Sequence, residues 1–189
     1  MTKLLMLDMQ SSVPHPYASP VMVDLLDQIH LNSGYVVADR WEPISVTVID
    51  DPEAVSGLTD WMLTVPFLIA SWRFADILRS LNSDCEYLPL VVRYHNQTLE
   101  GEYFALNALH VVHEAIDLEQ SKIGYYDAEF HFAEDIEKLV LKPESLGNAP
   151  LCYLSEISHY AVSDELATAI AAAGLVGIEL MEPTKFSSG

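Results

Sequence analysis

The period of the hydrophobic positions changes repeatedly along the chain, and each change marks an element. From Lys3 to Gln10, Leu4 and Met6 alternate with Leu5 and Leu7, the pattern of an opening strand. Ser11 to Pro20, with Pro14, Pro16 and Pro20, reads as loop. Met22, Leu25, Leu26 and Ile29 then recur at i, i+3, i+4, i+7, which predicts a short helix entered at Pro20 and ended by Asn32-Ser33-Gly34. Tyr35 to Ala38 and Ile44 to Ile49 are aromatic and β-branched and predict strands, the second broken by Asp50-Asp51-Pro52. Thr59 to Leu63 reads as a helical turn carrying Trp61, and Thr64 to Ala70 as a buried strand with Pro66 at an edge or bulge.

Ser71 is a good N-cap for a helix whose inner face is Phe74, Ile77, Leu78 and Leu81, stopped by Asn82-Ser83. Glu86 to Tyr94 predicts a strand, His95 to Gly101 a turn, and Glu102 to Leu106 the returning strand. Ala108 to Ile116 fits helix and strand equally. Tyr125 to Phe132 is strand-like. Ala133 to Leu141 places Ile136, Leu139 and Val140 among charges at helical spacing, with Glu134 and Asp135 on a solvated face. Leu151 to Leu154 is a short strand. Ser163 caps a last helix with Asp164 and Glu165 at its positive end, Gly174 ends it in a left-handed conformation with Leu175 as the apolar contact, and Val176 to Met181 closes the sheet. Strands outnumber helices and strict βαβ alternation is missing. The expected fold is α+β, a mostly antiparallel sheet with a few short packed helices. It forms one domain over residues 1–189, within which residues 1–65 could make an N-terminal lobe.

Composition narrows the function. Half of the 189 residues are hydrophobic, which excludes intrinsic disorder. Apolar runs such as Val65 to Ala70 and Ala169 to Ala173 fall far short of the ~20 residues of a membrane-spanning helix. Asp8 interrupts the apolar start too early for a signal peptide. Nine Lys and Arg against 28 Asp and Glu give a net charge of −19. That surface repels nucleic acid and anionic lipid and speeds encounter with basic partners. Cys85 and Cys152 lie far apart, as in free thiols of a reducing cytoplasm.

Candidate chemistry is sparse. The chain has no G-x-G-x-x-G, no G-x-x-x-x-G-K, no G-x-S-x-G and no H-E-x-x-H, so neither a cofactor nor a resident metal is expected. His110-Val111-Val112-His113-Glu114 is the nearest to a metal motif. On a helix, His110 and His113 share a face and, with a third ligand, would make a small metal-dependent hydrolase. On a strand their odd spacing sends them to opposite faces. Trp41, Trp61 and Trp72 read as core or near-core, Trp72 packing at a helix entrance. The most distinctive stretch is acidic. Glu114, Asp117, Glu119, Asp127, Glu129, Glu134, Asp135 and Glu137 stand against Lys122 alone, which reads either as solvated faces or, more sharply, as a contact patch for a basic partner.

Several segments, taken in order, resemble one family. They are Asp39-Arg40-Trp41 with Pro43; Ile69-Ala70-Ser71-Trp72-Arg73-Phe74; Cys85-Glu86-Tyr87-Leu88-Pro89-Leu90; Glu102-Tyr103-Phe104-Ala105-Leu106-Asn107; Ala115-Ile116-Asp117-Leu118-Glu119-Gln120-Ser121; and Val162-Ser163-Asp164-Glu165-Leu166 leading to Ala173-Gly174-Leu175-Val176-Gly177-Ile178. Over roughly residues 34–183 the chain is similar to immunity protein family 11 of bacterial polymorphic toxin systems, formerly a domain of unknown function. The chain departs from that pattern after Asn107, where His110 and His113 stand in a segment one residue longer. The resemblance implies a cytoplasmic protein without catalytic residues, which binds a cognate toxin domain and neutralises it by occlusion. Joined with the charge, it implies a basic toxin that acts in the cytoplasm, and no nucleic-acid or membrane partner.

Overall fold

The computed structural model describes residues 2–7, 15–18, 31–49, 58–64 and 67–188. Its strands are β1 (Lys3–Leu7), β2 (His15–Ala18), β3 (Ile44–Ile49), β4 (Trp61–Thr64), β5 (Phe67–Ser71), β6 (Cys85–Tyr94), β7 (Gln97–Ala108), β8 (Val111–Val112), β9 (Lys122–Asp127), β10 (Phe132–Lys138), β11 (Leu151–Leu154), β12 (His159–Val162) and β13 (Ile178–Met181). The α-helices are α1 (Trp72–Ser80), α2 (Pro143–Leu146) and α3 (Asp164–Ala173). A six-stranded sheet runs β2-β3-β6-β7-β5-β4, a five-stranded sheet runs β13-β1-β12-β11-β8, and β9 and β10 pair by themselves. All strand pairs are antiparallel except β3 with β6 and β11 with β8. The fold is α+β, as the patterning predicts.

Side-chain alternation places three apolar layers. On one face of the six-stranded sheet, Val46 and Val48 join Leu88, Leu90 and Val92, Phe67 and Ile69, and the ring of Trp41. The other face meets α1, α3 and the five-stranded sheet through Ala70, Leu106, Phe74, Leu78, Tyr160, Val162 and Leu166 around a fully buried Trp61. Beyond the five-stranded sheet, Leu4, Cys152, Leu154 and Ala161 pack against Ala133, Ile136 and Leu139 from the β9–β10 ribbon. Both cysteines are free thiols, and burial pushes them up to about 12 at Cys85 and about 11 at Cys152.

Polar side chains inside this framework join the layers. Asn107 is fully buried. Its Oδ1 accepts from the Asn32 N–H at 2.6 Å, and its Nδ2 donates to Tyr35 O at 3.0 Å and to Glu86 Oε2 at 2.7 Å. The Glu86 carboxylate also accepts from the N–H groups of Val37 and Ala38, at 2.8 and 2.9 Å. Asn32 Oδ1 returns the exchange by accepting from Ala108 N–H and from the Tyr160 hydroxyl, both at 2.8 Å. A second junction is Asp60. It accepts from Ser71 Oγ at 2.6 Å, Arg73 Nη1 at 3.0 Å and Val176 N–H at 2.9 Å, while Arg73 Nη2 donates to Ala173 O at 2.7 Å.

The structure corrects the sequence reading at several places. The loop predicted from Ser11 to Pro20 contains β2, which pairs with β3 at the sheet edge, where Pro16 is tolerated. Tyr35–Val37 pairs with no strand, since Asn107 takes the Tyr35 carbonyl and Glu86 the Val37 N–H, and Ala38–Arg40 is a 3-10 turn. Thr59 to Leu63 is not a helical turn. Trp61 begins β4, opposite Ala70. The turn predicted over His95–Gly101 shrinks to His95 and Asn96, both at positive φ, and Tyr94 already pairs with Gln97. Of Ala108–Ile116, Ala108 ends β7 and Val111–Val112 form the two-residue strand β8. Ala133–Lys138 is strand rather than helix, and Leu141 bridges to Ile116. Asp135 at φ +53 breaks the alternation, so Ala133 and Ile136, three apart, both face inward. Trp72 is half exposed, whereas Trp41 and Trp61 are buried. The predicted helix of Met22, Leu25, Leu26 and Ile29, the break at Asp50-Asp51-Pro52, and Pro66 lie outside the described residues.

Both predicted caps form. Ser71 and Ser163 accept from the N–H of Phe74 and Leu166. Gly174 ends α3 at φ 58, ψ 45, with open space where a Cβ would stand. The cost of a side chain there is therefore backbone strain alone. We expect Gly174→Val to destabilise the protein by about 1–2 kcal/mol and Gly174→Asn by much less, read as midpoints of thermal unfolding. Equal midpoints for wild type and Gly174→Val would refute this account.

Candidate functional site

The acidic residues singled out in the sequence lie on the loop 113–121 and on the β9–β10 hairpin. The loop lies along the end of β10. Asp117 N–H donates to Val140 O at 2.9 Å, and Ile116 bridges to Leu141. The hairpin is set by its register, in which Tyr125 stands opposite Glu134 and Asp127 opposite Phe132. Gly124 lies between these pairs and Ile123. A Cβ on it would come within 2.7 Å of the Asp135 Cβ, so the kink at Asp135 requires glycine on the facing strand.

The eight carboxylates do different things. Asp117 is spent on its own turn, accepting from the N–H of Glu119 and Gln120 at 3.0 and 3.1 Å and from Gln120 Nε2. Asp127 builds the hairpin turn, its Oδ1 accepting from the N–H of Glu129 and Phe130, both at 2.9 Å. The Phe130 N–H above all, joined by the Glu129 N–H, the Tyr125 hydroxyl and the charge of His131, holds this carboxyl below the ordinary range, against an opposing effect of desolvation. Hydrogen bonding to Asp127 raises the Tyr125 phenol, which donates to Oδ2 at 3.2 Å. Glu137 pairs with Lys122 across the ribbon. Glu114 is exposed at φ +60, and Lys142 Nζ donates to its carbonyl. Glu119, Glu129, Glu134 and Asp135 are exposed, with no ion pair to another described residue.

One buried carboxylate docks the ribbon. Glu156 is 1% exposed. Its Oε2 accepts from Ile116 N–H at 3.0 Å and its Oε1 from the Tyr126 hydroxyl at 3.1 Å, while its carbonyl accepts from Ala133 N–H at 2.8 Å. It thus holds the acidic loop, β9 and β10 together, a role that its isolated position in the sequence does not announce. Beside β10 lies an open cleft of about 400 Å³, with Phe132, Ile136, Ile157, His159 and Phe186 among its walls.

Tyr125–Phe132, strand-like in the sequence, is instead the end of β9, the hairpin turn and the start of β10. In the structure Phe130 is 76% exposed, Tyr125 50% and Phe132 38%. The histidine motif does not gather ligands. Val111–Val112 is strand, His113 is exposed with Nδ1 at 2.8 Å from Ser155 Oγ, and no three His, Cys, Asp or Glu among the described residues are placed to hold a metal. The hydrolase alternative has no support in this arrangement.

The model of the Immunity protein family (Imm11) matches residues 11–184. No curated protein matches the chain.

Removing the docking carboxylate should loosen the site selectively. Glu156→Leu leaves the Ile116 and Tyr126 donors unpaired, and we expect a loss of about 2–4 kcal/mol in denaturant unfolding. Amide exchange at Tyr126 and Ala133 should accelerate more than at Leu106. Glu156→Gln, which keeps acceptor oxygen, should cost less. Unchanged exchange at the ribbon in Glu156→Leu would show that Glu156 does not hold it.

Proposed function

The chain belongs to the Immunity protein family (Imm11), and from that premise we propose that it neutralises a cognate toxin domain by binding it, and that this toxin domain is basic. The protein performs no chemistry. It covers the toxin's active site or the path of its substrate. The observation that carries this reading is the family match over nearly the whole chain. The net charge of −19 supplies the sign of the partner, and the exposed carboxylates on the ribbon and the neighbouring loop supply a place for the encounter.

The physics of such a pair is familiar. A basic toxin that handles nucleic acid or nucleotides presents a positive groove, and a negative surface is drawn into it by long-range attraction before any contact forms. Packing at the contact then sets how long the complex lasts. We place the encounter in the cytoplasm, which suits two cysteines held apart as free thiols.

Association should therefore slow as salt rises, because the screening length falls from about 10 Å at 0.1 M to about 3 Å at 1 M. Reversing Glu129, Glu134 and Glu137 to Lys should lower the on-rate at low salt, with a smaller change in the off-rate. The fold should survive, because exposed charges, including the Lys122–Glu137 pair, contribute about 0–1 kcal/mol each. Stopped-flow mixing with the toxin domain encoded by the neighbouring gene measures both rates. An on-rate indifferent to salt and to the triple reversal would remove the ribbon as the steering surface. Failure of the wild-type chain to bind that domain, or to protect cells expressing it, would remove the function.

A further inference from the structure

We propose that the outward face of the β9–β10 hairpin is the anchoring surface for the toxin, with Tyr125, Phe130 and Phe132 as the rings that enter apolar recesses in its basic surface. This rests on the immunity reading and specifies which side chains hold the complex, as distinct from the charges that steer it.

The argument begins with where aromatic rings go in this protein. Trp61, Tyr160, Phe67 and Phe74 are fully buried, as large rings are in a well-formed core. A lone exposed ring needs no explanation. Three on one hairpin do, and the register brings two of them onto one face. Tyr125 and Asp127 lie two apart on β9 and touch through the Tyr125 hydroxyl. Opposite them on β10 stand Glu134 and Phe132. The outward face is thus a square of alternating rings and carboxylates, with Phe130 projecting from the turn beside it. The inward face is fully used, since Ile123, Tyr126, Ala133 and Ile136 pack on the core below. Phe132 also borders the cleft beside β10, whereas among the described residues neither Tyr125 nor Phe130 belongs to an apolar layer.

The surface is also rigid in advance. Glu156 fixes both strands, and the Asp127 carboxylate fixes the turn by holding the N–H groups of Glu129 and Phe130. Rings held in place before binding lose little freedom on binding, so more of their burial appears as affinity. A few aromatic anchors within a polar rim is the usual anatomy of an energetic centre at a protein interface.

Charge selects the occupant. Residues 122–138 carry Asp127, Glu129, Glu134, Asp135 and Glu137 against Lys122 and Lys138. A second copy of this chain would set these carboxylates against their own image, and an anionic membrane would meet the same repulsion. A basic protein surface meets attraction at the rim and apolar burial at the centre. That is the partner to which the geometry commits.

The test separates anchoring from steering. Phe130→Ser and Tyr125→Ser, singly and together, are mixed with the purified toxin domain of the neighbouring gene, disarmed at its active site. Each single change should raise the off-rate by about tenfold or more, with the on-rate unchanged within about twofold at fixed salt. Thermal midpoints should stay at the wild-type value, because these rings support no core layer. Amide exchange of the wild-type complex should show protection over residues 122–138. Wild-type off-rates in the variants, or protection confined to other exposed apolar positions such as Tyr35–Val36 or Trp72, would overturn the proposal while leaving the immunity function standing. A free chain that dimerises in sedimentation and becomes monomeric on Phe130→Ser would assign the surface to a second copy and overturn it as well. Absence of any wild-type binding would sink the function, and this assignment with it.

Discussion

The architecture turns on a buried amide that cannot be left unsatisfied. Asn107 lies at the inner end of β7 with no access to water, so each of its hydrogen-bonding groups must find a partner within the protein or cost roughly 1–3 kcal/mol. The partners it finds belong to different parts of the chain. Through Asn32 and Tyr35 it fixes the segment that crosses to β3, and through Glu86 it fixes Val37 and Ala38. Through Asn32 and Tyr160 the same network reaches the five-stranded sheet. Apolar layers alone would tolerate sliding of one sheet over the other. A satisfied polar network of fixed geometry does not, and burial, which pushes the Tyr160 phenol well above its ordinary value, keeps that hydroxyl a donor. Asp60 does the same at the other end, tying β4, the start of α1 and the end of α3 into one junction.

The same logic recurs at the candidate site on a smaller scale. Glu156 is a buried residue whose carboxylate accepts from Ile116 and Tyr126 and whose carbonyl accepts from Ala133, and its effect is to make an otherwise isolated ribbon an extension of the core. Stiffness at the ribbon comes from the inside, and so the outside can carry residues that would be liabilities elsewhere, exposed rings and unpaired carboxylates among them. The inner face answers to folding, and the outer face is free of that constraint.

Much of the fold is visible in local pattern. The strands β3, β6 and β11, both serine caps and the left-handed glycine after α3 are each determined by a few neighbouring residues, and reading those residues is enough. The misread elements depend on partners far away in sequence. Tyr35–Ala38 has strand-forming residues, but Glu86 and Asn107 claim its backbone. Ala133, Ile136 and Leu139 recur at a helical interval because the alternation breaks twice, at the kink of Asp135, permitted by Gly124 across the ribbon, and at the register shift between Ile136 and Lys138. At the site, the acidic residues stand out in the sequence as a stretch, but their division into turn builders such as Asp117 and Asp127 and free charges such as Glu129 does not. Nor does the outward aim of Phe130, since a phenylalanine amid strand formers reads as core until the register assigns it a side.

The place of β1 in its sheet bears on how the protein comes into being. That strand is flanked on both sides, by β12 and by β13, with Leu5 opposite both Tyr160 and Leu180. A ribosome delivers Leu5 long before either neighbour. Until the residues around Tyr160 and Leu180 emerge, both edges of β1 lack their native partners, and the sheet beneath the ribbon cannot close. Folding of this half therefore waits for those strands, is slow relative to helical proteins of similar size, and leaves the chain exposed to chaperones in the interval. New synthesis yields a closed sheet only after residues 1–181 have all been made, so a prompt response draws on protein already folded.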